Sequence, residues 1–163
     1  MFARHRTRVF RFIQRTVRNP GIAEDLVNQV FLDVWRSASQ FEHRARVSTW
    51  LLSIARFKAL TAMRQRRFED IDQEDVRQIP DDAETPETSL DRSDTSAILR
   101  ACVAKLSPAH REIINLVYYH EKSVEEVGQI IGIPQSTVKT RMFYARKQLA
   151  ELLKGAGVES LAA

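Results

Sequence analysis

The residues whose types and spacing point most clearly to chemistry lie in one helix-length segment near the C-terminus. Cationic, hydroxyl and aromatic side chains alternate along it, and this combination contacts phosphates and base edges in a DNA groove. These candidate DNA contacts are Ser136, Thr137, Lys139, Thr140, Arg141, Phe143, Tyr144, Arg146 and Lys147. Because Phe143 and Tyr144 are consecutive, they cannot both be buried on one face, and at least one ring is expected to be exposed.

An apolar stripe runs along the same segment and predicts an α-helix with one buried face. The stripe consists of Val138, Met142, Ala145, Leu149 and Leu152. A shorter helix is predicted before it, opened by a capping box of Ser123 and Glu126 and ended by Gly132. Pro134 suits the start of the second helix, because its missing N–H costs nothing there. The pattern favours a helix-turn-helix whose second helix enters the major groove, and the alternative is a helical hairpin with a solvated basic face.

Composition indicates an all-α protein with one domain or two small ones in 163 residues, since only five Gly and five Pro interrupt a sequence rich in helix formers. The single cysteine, Cys102, excludes an internal disulfide and a multi-cysteine metal site, and its helical spacing from apolar neighbours predicts a buried thiol rather than a redox sensor. No apolar run approaches the ~20 residues of a membrane span, and no signal peptide opens the chain. We therefore expect a cytoplasmic protein.

The net charge of +4 conceals a strong segregation along the chain. Residues 1–67 carry 14 Lys+Arg against 4 Asp+Glu, residues 68–97 carry 2 against 11, and residues 98–163 carry 9 against 6. Two basic blocks around an acidic spacer indicate a polyanionic partner that is bound by both ends of this chain.

Three helices are predicted in the first basic block. The first covers residues 2–18 and carries an arginine stripe opposite its apolar face. Asn19-Pro20-Gly21 is typical of a turn, and a second helix is predicted from Ala23 to Ala38. A third helix is predicted after a polar loop at residues 39–48, with Ser48 as its N-cap. The expected apolar side of this third helix consists of Trp50, Ile54, Phe57 and Thr61, widened by Leu51 and Ala55.

The third helix also interleaves its aromatic residues with arginines. Single-stranded nucleic acid binds such surfaces, because bases stack on the rings while cations hold the phosphates. For Trp50 alone, a place in the core competes with a role as a stacking platform.

Residues 68–93 are rich in Asp, Glu, Ser and Thr, and their lack of an apolar period predicts a flexible acidic linker. Asp94 is the expected N-cap of the next helix, and Ser107 with Pro108 predicts the start of another. With the helix-turn-helix, residues 94–154 would form a four-helix unit.

Taken together, the chain resembles a bacterial extracytoplasmic-function sigma factor. The resemblance covers nearly everything from Phe2 to Leu153, with three motifs in the family's order. The segments similar to the polymerase-gripping, −10-reading and −35-reading regions are AEDLVNQVFLDVW, STWLLSIARFKALTAMRQRR and KLSPAHREIINLVYYHEKSVEEVGQIIGIPQSTVKTRMFYARKQL. The resemblance implies an all-α fold of two small domains. These would be a sigma-2-like domain at 1–67, a flexible acidic linker at 68–93, a sigma-4-like helix-turn-helix domain at 94–154 and a tail at 155–163.

The resemblance also implies roles by position. Residues implied to bind core RNA polymerase are Asp25, Asn28, Gln29, Asp33, Trp35 and Arg36. The implied site for the −10 element includes a loop that would receive a flipped base. The residues implied to bind this element are Phe41, His43, Arg44, Arg46, Trp50, Arg56, Lys58, Arg64 and Arg67. The −35 element would be contacted by the nine residues from Ser136 to Lys147 named above, with Arg141, Arg146 and Lys147 nearer the phosphates.

The implied function is an alternative sigma factor that binds core RNA polymerase and promoter DNA, promotes DNA melting and is controlled by an anti-sigma factor. No catalysis, cofactor, metal, small-molecule substrate or membrane insertion is expected, and the four histidines lack metal-ligand spacing. Two alternatives stay open. A plain helix-turn-helix regulator would leave the N-terminal arginines without a task, and a sigma-mimicking adaptor would sequester an anti-sigma factor without supporting transcription.

Overall fold

The computed structural model of the chain describes residues 2–71 and 93–157, and in these ranges all regular structure is helical. The chain divides into two compact units. The helices before residue 72 belong to the first unit, and those after residue 92 make up almost all of the second. Within the described ranges, no helix combines the length and apolar character that crossing a membrane requires.

The N-terminal unit consists of three helices that pack on one another: α1 (Phe2–Val17), α2 (Pro20–Ser37) and α3 (Val47–Ile71). A short 3₁₀ turn, Ala38–Gln40, follows α2. The buried apolar residues of α1 and α2 follow the predicted helical spacing; they are Val9, Phe12, Ile13, Val17, Ala23, Leu26, Val27, Val30 and Val34. Removing these side chains from water is the main contribution to this unit's stability.

The predicted turn at Asn19-Pro20-Gly21 is wrong, because these residues begin α2. The side chain of Asn19 accepts a hydrogen bond from the backbone N–H of Ile22 at 3.0 Å, which makes Asn19 an N-cap. Pro20 occupies the first helical position, where an N–H would have no intrahelical partner. The Asn-Pro pair is therefore a helix start rather than a loop.

The predicted apolar side of α3 is only partly correct. Leu51 and Ala55 are buried as expected, and Leu52 and Ala59 are buried with them, whereas Phe57 and Thr61 are exposed and Trp50 and Ile54 are half-buried. Helical spacing fits both stripes, and packing against α1 and α2 selects the one with smaller side chains. Ser48 is not the N-cap either, since α3 begins at Val47.

The boundaries of the acidic segment differ slightly from the prediction. Helix α3 continues to Ile71, so residues 68–71 are helical rather than linker. The rest of the predicted linker, residues 72–92, lies outside the described residues. The next helix, α4 (Ser93–Ala104), begins one residue before Asp94, which is therefore not its N-cap.

The C-terminal unit contains α4, α5 (Pro108–Ile114), α6 (Val124–Ile131) and α7 (Gln135–Gly155). A π-helical turn, Asn115–Tyr119, continues α5. An apolar cluster joins α4, α5 and α7, and its members are Leu99, Val103, Leu106, Ile114, Ala145, Leu149 and Leu152. Cys102 is a buried free thiol, as predicted.

Local signals set the helix ends of this unit as expected. Ser107 accepts a hydrogen bond from the backbone N–H of His110, with Pro108 at the first helical position. Ser123 and Glu126 form the predicted capping box at the start of α6. Gly132 ends α6 in the left-handed conformation, at φ 81°, where a side chain would be strained.

Gly128 allows the two helices of the motif to approach each other closely. A Cβ atom on this residue would lie 2.9 Å from the carbonyl oxygen of Ile133 and 3.8 Å from the side chain of Val138. The carbonyl oxygen of Gly128 accepts hydrogen bonds from the N–H groups of Gly132 and Ile133, at 2.8 and 3.1 Å. The turn between α6 and α7 thus folds back directly onto Gly128.

Candidate nucleic-acid and polymerase interfaces

Helix α7 presents its polar face to solvent as the sequence predicts. Val138 and Ala145 are buried on the opposite side, beside half-buried Met142. Phe143 and Tyr144 are 62% and 53% exposed, and their rings meet edge to face at 5.4 Å. Both aromatic rings are therefore available to a partner.

The cations of this face are almost free of protein partners. Ser136, Lys139, Thr140, Arg146 and Lys147 are exposed, whereas Thr137 and Arg141 are half-buried. Within the part of the chain that the structure describes, Lys139, Arg141 and Lys147 form no ion pair. Unpaired surface cations on an exposed helix suit phosphate binding, since no internal contact has to be broken first.

Two hydrogen bonds organise this face. The hydroxyl of Thr140 donates to the carbonyl oxygen of Ser136 at 3.0 Å. This bond fixes the rotamer of Thr140 and leaves the lone pairs of its hydroxyl oxygen available as acceptors. The Nε–H of Arg146 donates to the phenolic oxygen of Tyr118 at 2.7 Å. Tyr118 comes from the π-helical turn, and sequence reasoning did not associate it with the site.

The outward face of α3 carries a second aromatic and cationic stripe. Trp50, Phe57 and Arg64 recur every seven residues, and Phe68 continues the line one turn further. Phe57 and Phe68 are 71% and 69% exposed. Arg64 and Arg67 are exposed beside them, and Arg56 is half-buried.

Trp50 differs from Phe57 because one of its faces is already covered. The Phe41 ring stacks on it at 4.7 Å with an interplanar angle of 26°, and His43 meets Phe41 edge to face at 4.6 Å. This aromatic cluster joins the candidate −10 loop to the start of α3. A cavity of about 440 Å³ adjoins it, lined by Asp33, Arg36, Ser37, Gln40, Trp50 and Ile54.

The loop residues with polar side chains, Glu42, His43, Arg44 and Arg46, are exposed. His43 has a left-handed backbone at φ 57°, and Arg44 pairs with Glu42 at 2.9 Å. The carbonyl oxygen of Arg46 accepts the backbone N–H of Trp50 at 3.1 Å, which attaches the loop to α3. The loop therefore holds its aromatic rings while its charged groups reach solvent.

Helix α2 presents the candidate polymerase surface. Asp25, Asn28, Gln29 and Arg36 are exposed, and Trp35 is 84% exposed. Asp33 is different, because its carboxylate pairs with the ammonium of Lys58 on α3 at 2.8 Å. A residue assigned to polymerase and a residue assigned to −10 DNA are thus joined to each other.

Among the described residues, no group of three His, Cys, Asp or Glu side chains is arranged to hold a metal ion. The arrangement is instead two separate surfaces of cations and aromatic rings, one in each unit. Such surfaces can bind nucleic acid, with the helix-turn-helix suited to a duplex groove and α3 to unpaired bases.

Comparisons with known proteins agree with this division. The Sigma-70 region 2 family matches residues 1–69, and the Sigma-70 region 4 family matches residues 102–151. RNA polymerase sigma factor CarQ from Myxococcus xanthus is 36% identical, over 94% of this chain and 87% of its own length. ECF RNA polymerase sigma factor SigL from Mycobacterium tuberculosis is 29% identical, over 97% of this chain and 89% of its own.

A solved structure is similar in fold to this chain. It is the sigma factor RpoE from Bartonella quintana, crystallised with the anti-sigma factor NepR. The match has a TM-score of 0.78 and 28% identity, and it covers 94% of each chain. With both sigma-70 regions matched in order and relatives similar along almost their full length, the chain belongs to the extracytoplasmic-function RNA polymerase sigma factors.

Proposed function

We propose that this chain is an alternative sigma factor that binds core RNA polymerase, recognises the −35 and −10 promoter elements and promotes DNA melting. The observation that carries the proposal is the presence of one exposed cationic and aromatic face on each unit, on α3 and on α7. We assign residues 1–71 to the clamp and the −10 element, 72–92 to an acidic linker and 93–155 to the −35 element, with a tail at 156–163.

The −35 element is read by α7 in the major groove. Lys139, Thr140, Phe143 and Tyr144 face the bases, while Arg141, Arg146 and Lys147 hold phosphates. Support comes from the exposure of both aromatic rings. Lys139 and Lys147 also have no ion pair with any of the residues that the structure describes, so no such contact competes with phosphate. Ser136 and Thr137 lie in the first turn of α7, where backbone N–H groups also attract phosphate.

The −10 element is opened at α3 and the loop before it. Unpairing bases costs a few kcal/mol, and capturing an extruded base while rings and cations hold the strand offsets that cost. The aromatic cluster of Phe41, His43 and Trp50 supports a base-capturing loop, and Arg56, Arg64 and Arg67 supply the charge along α3.

Core RNA polymerase is bound through α2, at Asp25, Asn28, Gln29, Asp33, Trp35 and Arg36. The exposed indole of Trp35 beside exposed polar residues has the composition of an interface centre. Seating on polymerase makes two weak DNA contacts act together, because the second contact then forms at high effective concentration. The free chain is therefore expected to bind promoter DNA weakly.

An anti-sigma factor controls this activity. The exposed apolar parts of residues 23–38 and 123–149 are its expected footholds. In the C-terminal unit, a groove of about 1470 Å³ is lined by apolar residues, among them Leu99, Val103 and Met142, and by exposed lysines and Arg146. An acidic amphipathic helix would fit this combination of apolar and cationic side chains.

The chain acts by binding, without catalysing a reaction and without a cofactor, and it works in the cytoplasm with the polymerase. A transcription initiation factor needs only to position DNA, because the polymerase supplies the chemistry. This assignment follows from family membership together with a surface built for polyanions.

Run-off transcription with purified core polymerase over a promoter library tests the proposal. We expect selective initiation at promoters that share two spaced elements, and only weak gel-shift of the same DNA by the free chain. Tight promoter binding by the free chain would favour a plain helix-turn-helix regulator. Capture of an anti-sigma factor without any transcription would favour a sigma-mimicking adaptor.

A further inference from the structure

The π-helical turn Asn115–Tyr119 is the least regular helical segment of the C-terminal unit. The backbone N–H of His120 donates to the carbonyl oxygen of Asn115 at 3.1 Å, a step of five residues, and that of Lys122 donates to Leu116 at 3.0 Å. A π turn accommodates one more residue than an α turn and rotates the side chains that follow. Such turns are rare and often occur at functional sites.

The turn keeps Leu116 and His120 buried while it directs two tyrosines outward. Tyr118 is 54% exposed, and Tyr119 is 43% exposed. Tyr118 reaches α7, where its phenolic oxygen accepts the Nε–H of Arg146 at 2.7 Å across 28 residues of sequence. The guanidinium carbon of Arg146 lies 5.7 Å from the centre of the Tyr118 ring.

This contact uses one particular edge of the guanidinium. Arginine has five N–H donors in a planar fork, one on Nε and four on the two terminal nitrogens. With Nε–H committed to Tyr118, the edge formed by the two terminal nitrogens stays open. That edge can form two parallel hydrogen bonds to one phosphate.

We propose that Tyr118 is a positioning residue for −35 DNA, which holds Arg146 with its terminal edge directed to a backbone phosphate. The inference rests on the proposed phosphate contact of Arg146. A free arginine side chain loses rotamer freedom when it binds, and this loss weakens binding. The contact with Tyr118 already restricts the Arg146 side chain before DNA arrives, so less rotamer freedom is lost on binding. Because both side chains are exposed, their contact contributes little to folding and acts mainly on binding.

A double-mutant cycle in the full chain, assembled with core polymerase, tests this inference. Tyr118→Phe keeps the ring but removes the acceptor, and we expect it to weaken binding of a promoter duplex by about 3- to 10-fold. In an Arg146→Ala background the same change should have no effect, because there is no guanidinium left to orient. The thermal unfolding midpoint should be the same for Tyr118→Phe and the wild type.

The salt dependence of promoter binding separates an effect on the orientation of Arg146 from an effect on its charge. Arg146→Ala removes a phosphate contact and should lower the slope of log K against log salt by about 1. Tyr118→Phe leaves the charge in place and should leave the slope unchanged. Tyr119→Phe is the matched control, because it removes a hydroxyl from the same turn, and its promoter affinity should equal that of the wild type.

Additive effects of Tyr118→Phe and Arg146→Ala would overturn the inference, and so would wild-type affinity of either single variant. In each case the wild-type complex would still select its promoter, so the proposed function would stand. Loss of promoter selectivity by the wild-type complex would instead refute the proposed function itself.

Discussion

The outward faces of α3 and α7 contain the same ingredients and organise them differently. On α7 the two aromatic rings are adjacent, at Phe143 and Tyr144, and contact each other edge to face. On α3 the two exposed rings, Phe57 and Phe68, are eleven residues apart, which is about 16 Å along a helix. Adjacent rings form one compact patch, whereas spaced rings form an extended track, that is, a row of separate rings along the helix.

The cations also differ. On α7, Lys139 and Lys147 make no ion pair within residues 2–71 and 93–157. On α3, Lys58 is held by Asp33 of the neighbouring helix. A compact patch of free cations suits the fixed phosphate spacing of a duplex, and a track of separated rings suits unpaired bases, which stack one at a time. Spacing, rather than composition, therefore distinguishes the two proposed DNA-binding modes.

The largest effect is expected where the duplex-reading face depends on close packing. Gly128→Val would place branched methyl groups against the carbonyl oxygen of Ile133 and the side chain of Val138. We expect the C-terminal unit to lose about 3 kcal/mol of stability and −35 binding to fail, because overpacking at backbone cannot be relieved by a rotamer change. Thermal unfolding and a −35 duplex shift on the polymerase complex measure the two effects.

Gly155→Val is the control for this substitution, since a Cβ there meets nothing within 4 Å. Normal −35 binding by the Gly128→Val variant would show that the helix-turn-helix geometry does not govern that contact.

A reciprocal pair of substitutions tests the comparison itself. Phe57→Ala should weaken binding of the polymerase complex to a forked −10 template by about 1–3 kcal/mol, the range for loss of one stacked base. It should leave the −35 duplex unaffected. Phe143→Ala should do the opposite, with a loss of about 1–3 kcal/mol for a specific base contact. Each variant serves as the other's control in fluorescence anisotropy, and equal losses on both templates would remove the distinction between the two faces.

Two of the three described non-glycine residues with left-handed backbones give a smaller effect. Glu121, before α6, has φ 53°, and His43, in the candidate −10 loop, has φ 57°. Substituting either by glycine should stabilise the chain by about 1 kcal/mol, because it removes backbone strain. Only His43→Gly should also reduce binding to melted −10 DNA, since it removes the ring that contacts Phe41.

Glu125→Gly is the matched control for Glu121→Gly, since Glu125 is exposed but helical. Glycine there should destabilise by about 1 kcal/mol. Chemical denaturation compares the three variants, and destabilisation by Glu121→Gly would contradict the assignment of strain.

The smallest effect concerns the ion pair between Asp33 and Lys58. Asp33→Asn should free Lys58 for the DNA strand and strengthen single-strand binding by the free chain, by about 0.2–1 kcal/mol. Asp25→Asn removes the same charge from an exposed position of α2 and gives the contribution of net charge alone. Equal gains in the two variants would mean that the ion pair does not restrain Lys58.

Several helix ends of the C-terminal unit were predictable from local signals, whereas the single N-cap candidates Ser48 and Asp94 are not caps. Ser107 with Pro108, the Ser123 and Glu126 capping box, and Gly132 all act within one or two turns of their own position. Asn19-Pro20 was misinterpreted because the same pair serves both turns and helix starts, and only the hydrogen bond of Asn19 to Ile22 distinguishes them.

The exposed face of α7 was predictable almost completely, whereas the exposed face of α3 was not. The stripe of Val138, Met142 and Ala145 has no competing apolar stripe, so the exposed side of α7 follows directly from it. Helix α3 has two possible stripes, and the aromatic one had suggested the core. A heptad spacing from Trp50 to Phe57 was the available signal for a second exposed ring.

The helical architecture, the segregation of charge and the position of the helix-turn-helix follow from the amino-acid sequence alone, because these depend on neighbours within a few residues. The packing of the helices sets which face of α3 is buried, and it brings together Phe41 with Trp50, Asp33 with Lys58 and Tyr118 with Arg146. Contacts between residues far apart in sequence depend on how whole helices pack, and helical periodicity carries no information about which helix lies opposite.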